Sequence, residues 1–129
     1  MAVENRLLDK ADWYVEDALT NYLHSYQLQN EELTQDDYRE IHRWAANHIG
    51  FFVTWLIQHD AKEMMTPDEE TSLQSVKDEH TLGVDYLLDW CDGKLGTMDV
   101  KKDFQDFVNN YYEHQYMKDY SEFVVNDLY

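Results

Sequence analysis

Apolar side chains return every three or four residues along almost the whole chain, strict alternation is nearly absent, and only one proline and four glycines interrupt the pattern. That period belongs to helices with one buried face, so the expected fold is all-α. A chain of 129 residues can bury about two-thirds of the surface its unfolded form exposes. This is enough for one compact bundle of about five to six helices without a disulfide, a metal or a second domain. No linker, low-complexity tract or internal repeat divides residues 1–129.

The first stripe collects Leu7, Leu8, Ala11, Val15, Ala18, Leu19, Tyr22, Leu23 and Tyr26, with Glu4, Asp9, Asp12, Glu16 and Asp17 on its other side or in its first turns. One helix ending near 27–30 is expected from it. Thr34 followed by Asp37 reads as a cap for a long central helix over about residues 35–59, running through Tyr38, Ile41, Trp44, Ala45, His48, Ile49, Phe52, Trp55 and Leu56 as the expected centre of the core. Gly50 inside it costs about 1 kcal/mol relative to Ala and predicts a close crossing by another helix. Thr66-Pro67-Asp68-Glu69 combines a cap, a first-turn proline and the reciprocal acid of a capping box. The helix it starts either runs past Leu73, Val76 and His80 to a break near Gly83 or restarts at Thr81. Val84, Leu87, Leu88 and Cys91 form the next stripe, stopped by Asp92-Gly93. Residues 94–99 read as a connection, with Thr97 as cap for a helix burying Phe104, Phe107, Val108 and Tyr111. A last segment presents Tyr116, Met117, Tyr120, Phe123 and Val124.

Charge narrows the function classes. There are 27 Asp and Glu against 10 Lys and Arg, for a net charge of −17, which repels nucleic acid and anionic membrane and attracts basic partners. Residues 1–59 hold 10 acids and 4 bases, whereas residues 60–129 hold 17 and 6, so the excess is greater in the second half. There Asp85, Asp89 and Asp92 recur at helical spacing opposite the apolar stripe, followed by Asp99, Asp103, Asp106 and Glu113. Like charges so placed repel by about 0.2–0.5 kcal/mol per pair. A solvated face that keeps the protein soluble accounts for them as well as a docking surface does. In the docking reading the acids steer a basic protein and aromatics such as Trp90 and Tyr112 supply affinity, with Tyr86 and Tyr116 nearby. Ten tyrosines and four tryptophans also suit a core rim. The partner-binding set expected from sequence is therefore Asp85, Asp89, Asp92, Asp99, Asp103, Asp106, Trp90 and Tyr112.

Signatures of catalysis and metal binding are missing. There is no His-Glu-x-x-His, paired-Cys, phosphate-loop or Gly-x-Ser-x-Gly motif. The acidic ends of 92–103 lack the ligands and glycine of a calcium loop. No cofactor and no enzymatic activity are expected. The histidines at 24, 42, 48, 59, 80 and 114 include no pair at four-residue spacing. His48, on the apolar stripe of the central helix, reads as a buried histidine hydrogen-bonded to a neighbour; an enzyme would need a carboxylate beside it in an enclosed polar pocket. Cys91 reads as a reduced, buried thiol. The N-terminal residues lack the basic start and apolar run of a secretory signal, and no apolar stretch reaches a membrane span, so the expected compartment is the cytoplasm.

The runs Asp9-Lys-Ala-Asp-Trp-Tyr14, Ala46-Asn-His-Ile-Gly-Phe-Phe-Val-Thr-Trp-Leu-Ile57, Trp90-Cys-Asp-Gly-Lys-Leu95 and Phe107-Val-Asn-Asn-Tyr-Tyr112 together resemble a family of small uncharacterised acidic bacterial proteins. That family has a Trp near the N-terminus, a His-Ile-Gly-x-Phe helix and a Cys-Asp-Gly-Lys-Leu turn. The chain departs from the pattern between Tyr14 and Trp44. The resemblance implies an α-helical domain similar to immunity proteins for bacterial toxins, and it transfers no catalytic residue. Trp13, His48, Gly50, Asp92, Gly93 and Lys94 match its motifs and read as a core anchor, a helix crossing and a helix stop.

The expected function is thus an acidic module that neutralises or regulates a basic protein, most specifically an immunity protein occluding a toxin. The alternative is a DNA-mimic inhibitor of a nuclease or DNA-binding protein, although Lys94, Lys101 and Lys102 interrupt the rows of carboxylates that mimicry requires. A homodimer built on the aromatic last segment is a further partner the sequence allows.

Overall fold

The computed structural model describes the backbone of residues 6–127 and side chains through residue 122. The expected position of Glu4 and the expected packing of Phe123 and Val124 lie outside the described residues. The fold is mostly α, as the period predicts, with one small antiparallel pair of strands. Helix α1 spans Val15–Tyr26, α2 Gln35–Gln58, α3 Glu70–Lys77, α4 Gly83–Trp90, α5 Gln105–Tyr111 and α6 Met117–Asp127; strands β1 and β2 are Leu7–Lys10 and Lys94–Gly96. A π-helical turn, Tyr112–Tyr116, joins α5 to α6 without a break.

The long helix forms as its sequence dictates. The Thr34 hydroxyl accepts from the Asp37 N–H while the Asp37 carboxylate accepts from the Thr34 N–H. The same carboxylate receives the Tyr22 hydroxyl at 2.5 Å, so the cap of α2 also docks α1. Ile41, Ala45, Ile49, Phe52, Val53 and Leu56 then bury one face of α2. Helix α4 makes its most extensive packing on this face. At the crossing a Cβ on Gly50 would lie 2.5 Å from the Val84 Cα, and one on Gly83 would strike Thr54 Oγ1 and the Gly50 carbonyl. Only two glycines let the backbones approach this closely.

Helices end in left-handed residues that lack a glycine's freedom. Gln27 has φ 54°, with the Leu28 N–H donating to Leu23 O and the Gln27 N–H to His24 O. Asp60, Glu79 and Asp92 adopt the same conformation after α2, α3 and α4. Asp92-Gly93 is the stop that the sequence announces, with the Gly93 N–H bonded to Leu87 O.

Three expectations are corrected. Residues 7–10 are a strand, because Leu7, Asp9 and Lys10 pair with Gly96, Leu95 and Lys94, and the Arg6 carbonyl takes the Thr97 N–H. Residues 94–99 are consequently that strand and a tight turn, and Thr97 is a buried side chain bonded to Asn109 rather than a helix cap. Trp13 is 55% exposed and Phe107 54%, so neither is a core residue. Met117 is exposed as well.

Candidate functional site

The acids expected to form one docking row have different fates. Asp85 is bonded to Arg43 and lies 3.8 Å from Arg39, while Asp89 lies 3.5 Å from Arg39. These contacts tie α4 to α2. Asp92 sits 3.6 Å from Lys94. Asp99 is largely covered: it accepts from the Gly96 N–H at 2.8 Å and faces Lys62 at 3.6 Å. Asp103 and Asp106 are exposed, with no ion-pair partner among the described residues. Trp90 is 40% exposed beside Asp89. Tyr112 is a correction: it is buried, with Tyr86 and Tyr116, and offers nothing to a partner. Its hydroxyl instead donates to Asp9 at 2.6 Å.

Asp9 is the centre of a polar cluster that unites three elements distant in sequence. The register slips between Leu7 and Asp9, and such an irregularity re-aims a side chain; here it accompanies the burial of Asp9. Asp9 Oδ2 lies 3.1 Å from His48 Nε2 on α2 and accepts from Tyr112, while Oδ1 accepts from the Lys10 N–H at 2.9 Å. The His48 carbonyl in turn takes the Tyr116 hydroxyl, and the Tyr14 ring meets the imidazole edge-on at 4.4 Å. Burial pushes the Asp9 carboxyl up, but hydrogen bonds from His48, Tyr112 and Tyr14 outweigh it, and the carboxyl is held below the ordinary aspartate range. The neighbouring hydroxyls move the other way: burial and Asp9 push Tyr14 up to about 12, and Tyr112 is pushed up further.

His48 is therefore buried and hydrogen-bonded, as its place on the apolar stripe predicts. The carboxylate that an acid–base role would require is present, and its oxygens are occupied in bracing β1, α2 and the π turn. His48 also borders a cleft of 580 Å³ whose polar walls include Asp17, Asn21 and Asn47. Sequence reasoning placed Asp9 on a solvated face; its partners stand 39 and 103 positions away, so no local signal marks it.

A second buried cluster surrounds Lys62. Its ammonium donates to the Glu63 carbonyl at 2.7 Å, faces Asp99, and lies 5.3 Å from the centre of the Tyr86 ring. Glu69, the acid of the capping box, is buried here and accepts from the Met65 and Thr66 N–H groups at 2.8 and 2.7 Å and from the Tyr86 hydroxyl. Cys91 is half-buried rather than fully enclosed, and burial, opposed by Lys62 and assisted by Asp99 and Glu69, pushes its thiol up to about 12. A thiol so raised is a poor nucleophile.

An aromatic groove of 490 Å³ lies between α2 and the α5–α6 helix. Phe51, Trp55, Phe107, Tyr111 and Tyr120 wall it, and among the described residues Asp119 is the one charged side chain on its lining. The Asp119 carboxylate accepts from the Tyr111 hydroxyl at 2.6 Å and from the Gln115 amide at 3.0 Å, and these bonds hold it below the ordinary range. The helical period assigned Trp55 and Phe107 to the core because it cannot distinguish a buried stripe from an open aromatic one.

Among the described residues no helix is long and apolar enough to cross a membrane. No curated protein and no solved structure matches the chain significantly. A family model described as Domain of unknown function (DUF7832) matches residues 7–129, spanning the strand, both polar clusters and the groove, and the chain belongs to that family.

Proposed function

We propose that the protein is an acidic protein-binding module that neutralises or regulates a basic protein partner in the cytoplasm, and in its most specific form an immunity protein that occludes a bacterial toxin. The observation that carries this reading is the fate of the cations. Arg6, Arg39, Arg43, Lys62, Lys77 and Lys94, six of the ten basic side chains, are held in ion pairs by the protein's own carboxylates. The remaining surface presents exposed acids such as Asp103 and Asp106, with Phe107 exposed on α5 beside Asp106 and Trp90 exposed at the end of α4 beside Asp89. Acids of this kind speed encounter with a basic surface, and exposed aromatics supply the contact energy. The same charge disfavours direct contact with nucleic acid or an anionic membrane.

The test is a pull-down from lysate of the source organism with tagged wild type and with Asp103 and Asp106 reversed to Lys. Asp85 and Asp89 are left intact because their contacts with Arg43 and Arg39 tie α4 to α2. A single stoichiometric basic protein lost in the variant is the expected result. A captured set unchanged by the reversal, or no specific partner in either sample, would remove the reading.

A further inference from the structure

We propose that the aromatic groove between α2 and α5–α6 seats an arginine-bearing amphipathic helix of a basic protein partner, the guanidinium lying against its rings and meeting Asp119. This rests on the acidic-module reading and gives it a location.

The wall is built of aromatic rings packed on one another. Phe107 and Tyr111 stack at 5.4 Å with planes 8° apart, Phe52 and Trp55 at 5.7 Å and 20°, and Trp55 lies 6.4 Å from Phe107. Phe51, Trp55 and Phe107 keep 47%, 36% and 54% of their surface exposed. Ring faces carry negative electrostatic potential and attract a cation most strongly where water is partly excluded. An apolar groove alone would take any greasy helix, but this one carries a carboxylate whose position is fixed by Tyr111 and Gln115. Each Asp119 oxygen already accepts one bond, Oδ2 from Tyr111 and Oδ1 from Gln115, and keeps a second acceptor site for a guanidinium N–H. Asp106 precedes Phe107 on α5 and is exposed, though it is not part of the groove's lining.

Charge also decides between occupants. A second copy would bring another −17 against a chain of the same charge, a repulsion that works against self-association. A basic helix with apolar residues and arginines at spacings of three and four satisfies both the rings and the carboxylate, the usual way an amphipathic helix fills such a groove.

The test uses calorimetric titration of the full chain with a short acetylated peptide of Leu and Arg in helical amphipathic order, beside the same peptide with Glu in place of Arg. Phe107→Ala and Asp119→Asn alter the groove, Asp89→Asn with Trp90→Ala alters the α4 face, and thermal melts establish that each variant folds. The expected result is binding of the Arg peptide alone, weakened at least about tenfold by either groove change and less than about threefold by the α4 change. Equal binding of the Glu peptide would overturn the arginine assignment. Loss on the α4 face with the groove variants unaffected would move the seat elsewhere and leave the acidic-module reading standing. No binding of the Arg peptide would overturn the groove proposal, while the pull-down judges the broader reading separately. A wild-type dimer in sedimentation that Phe107→Ala dissociates would make the occupant a second copy and overturn the proposal.

Discussion

Asp9 and His48 are 39 residues apart in sequence and meet at 3.1 Å inside the protein, joining the first strand to the middle of the longest helix. Asp9→Ala would leave both the imidazole and the Tyr112 hydroxyl without this acceptor. A buried polar group so stranded costs about 1–3 kcal/mol, and a loss of about 3 kcal/mol is expected in urea unfolding.

The same pair gives a pH signature. The Asp9 carboxyl is lower in the folded chain than its ordinary value of 3.8, so its contribution is complete above that value and is lost as the pH falls through the depressed folded one. The stability difference between wild type and Asp9→Asn should therefore be constant near neutrality and shrink below about pH 4. A difference unchanged down to pH 2 would refute the assignment.

At the other end of the scale, burial raises Tyr86, Tyr112 and Tyr116 well above the ordinary value of 10.0, and Tyr111 to about 12. Their neutral forms are favoured by the fold, a stabilisation present below pH 10 and lost as the pH rises further. Ultraviolet titration should show Tyr86, Tyr112 and Tyr116 resisting ionisation while the chain is folded and released together as it unfolds. Ionisation of these three ahead of unfolding would contradict the packing.

Gly50→Ala tests the crossing of α2 and α4. Alanine gains about 1 kcal/mol of helix propensity, but its Cβ would lie 2.5 Å from backbone of α4. Overpacking typically costs 1–3 kcal/mol. The net expectation is a destabilisation of up to about 2 kcal/mol by thermal melting, toward the upper end because backbone cannot step aside as a side chain can.

Gln27→Gly should stabilise. Gln27 is exposed and left-handed at φ 54°, a conformation that costs an ordinary residue about 1 kcal/mol. Glycine removes that cost and loosens the unfolded chain somewhat, leaving a gain of up to about 1 kcal/mol in urea unfolding.

Helices legible in the sequence are those whose signals are local. Thr34 with Asp37, Thr66-Pro67 with Glu69, the Asp92-Gly93 stop and the crossing implied by Gly50 all depend on residues within a turn of one another or on one missing side chain. The first strand was not legible, since Leu7, Leu8 and Ala11 fit a helical stripe and the partner that makes them extended lies near residue 95. The expected docking row failed in part for the same reason: spacing aligns Asp85 with Asp89, but not Arg39 and Arg43 opposite them. Tyr112 and Phe107 exchanged roles, one drawn inward by Asp9 and the other left on the groove, because aromatic rings serve core and surface equally well.

The π turn at 112–116 has a consequence for how this chain can vary. Val108, Tyr112, Tyr116 and Tyr120 are spaced by four and all pack inward, yet in an unbroken α-helix that spacing would swing the last about 120° from the first. The wider π turn absorbs the drift. Removing one residue from this stretch would leave eleven steps between Val108 and Tyr120, within about 20° of three full turns of an unbroken α-helix, so Asp119 and Tyr120 would stay on the side of α2. Relatives that keep the groove can therefore lose the π turn by a one-residue deletion between Tyr112 and Tyr116, whereas a one-residue insertion there should be far rarer.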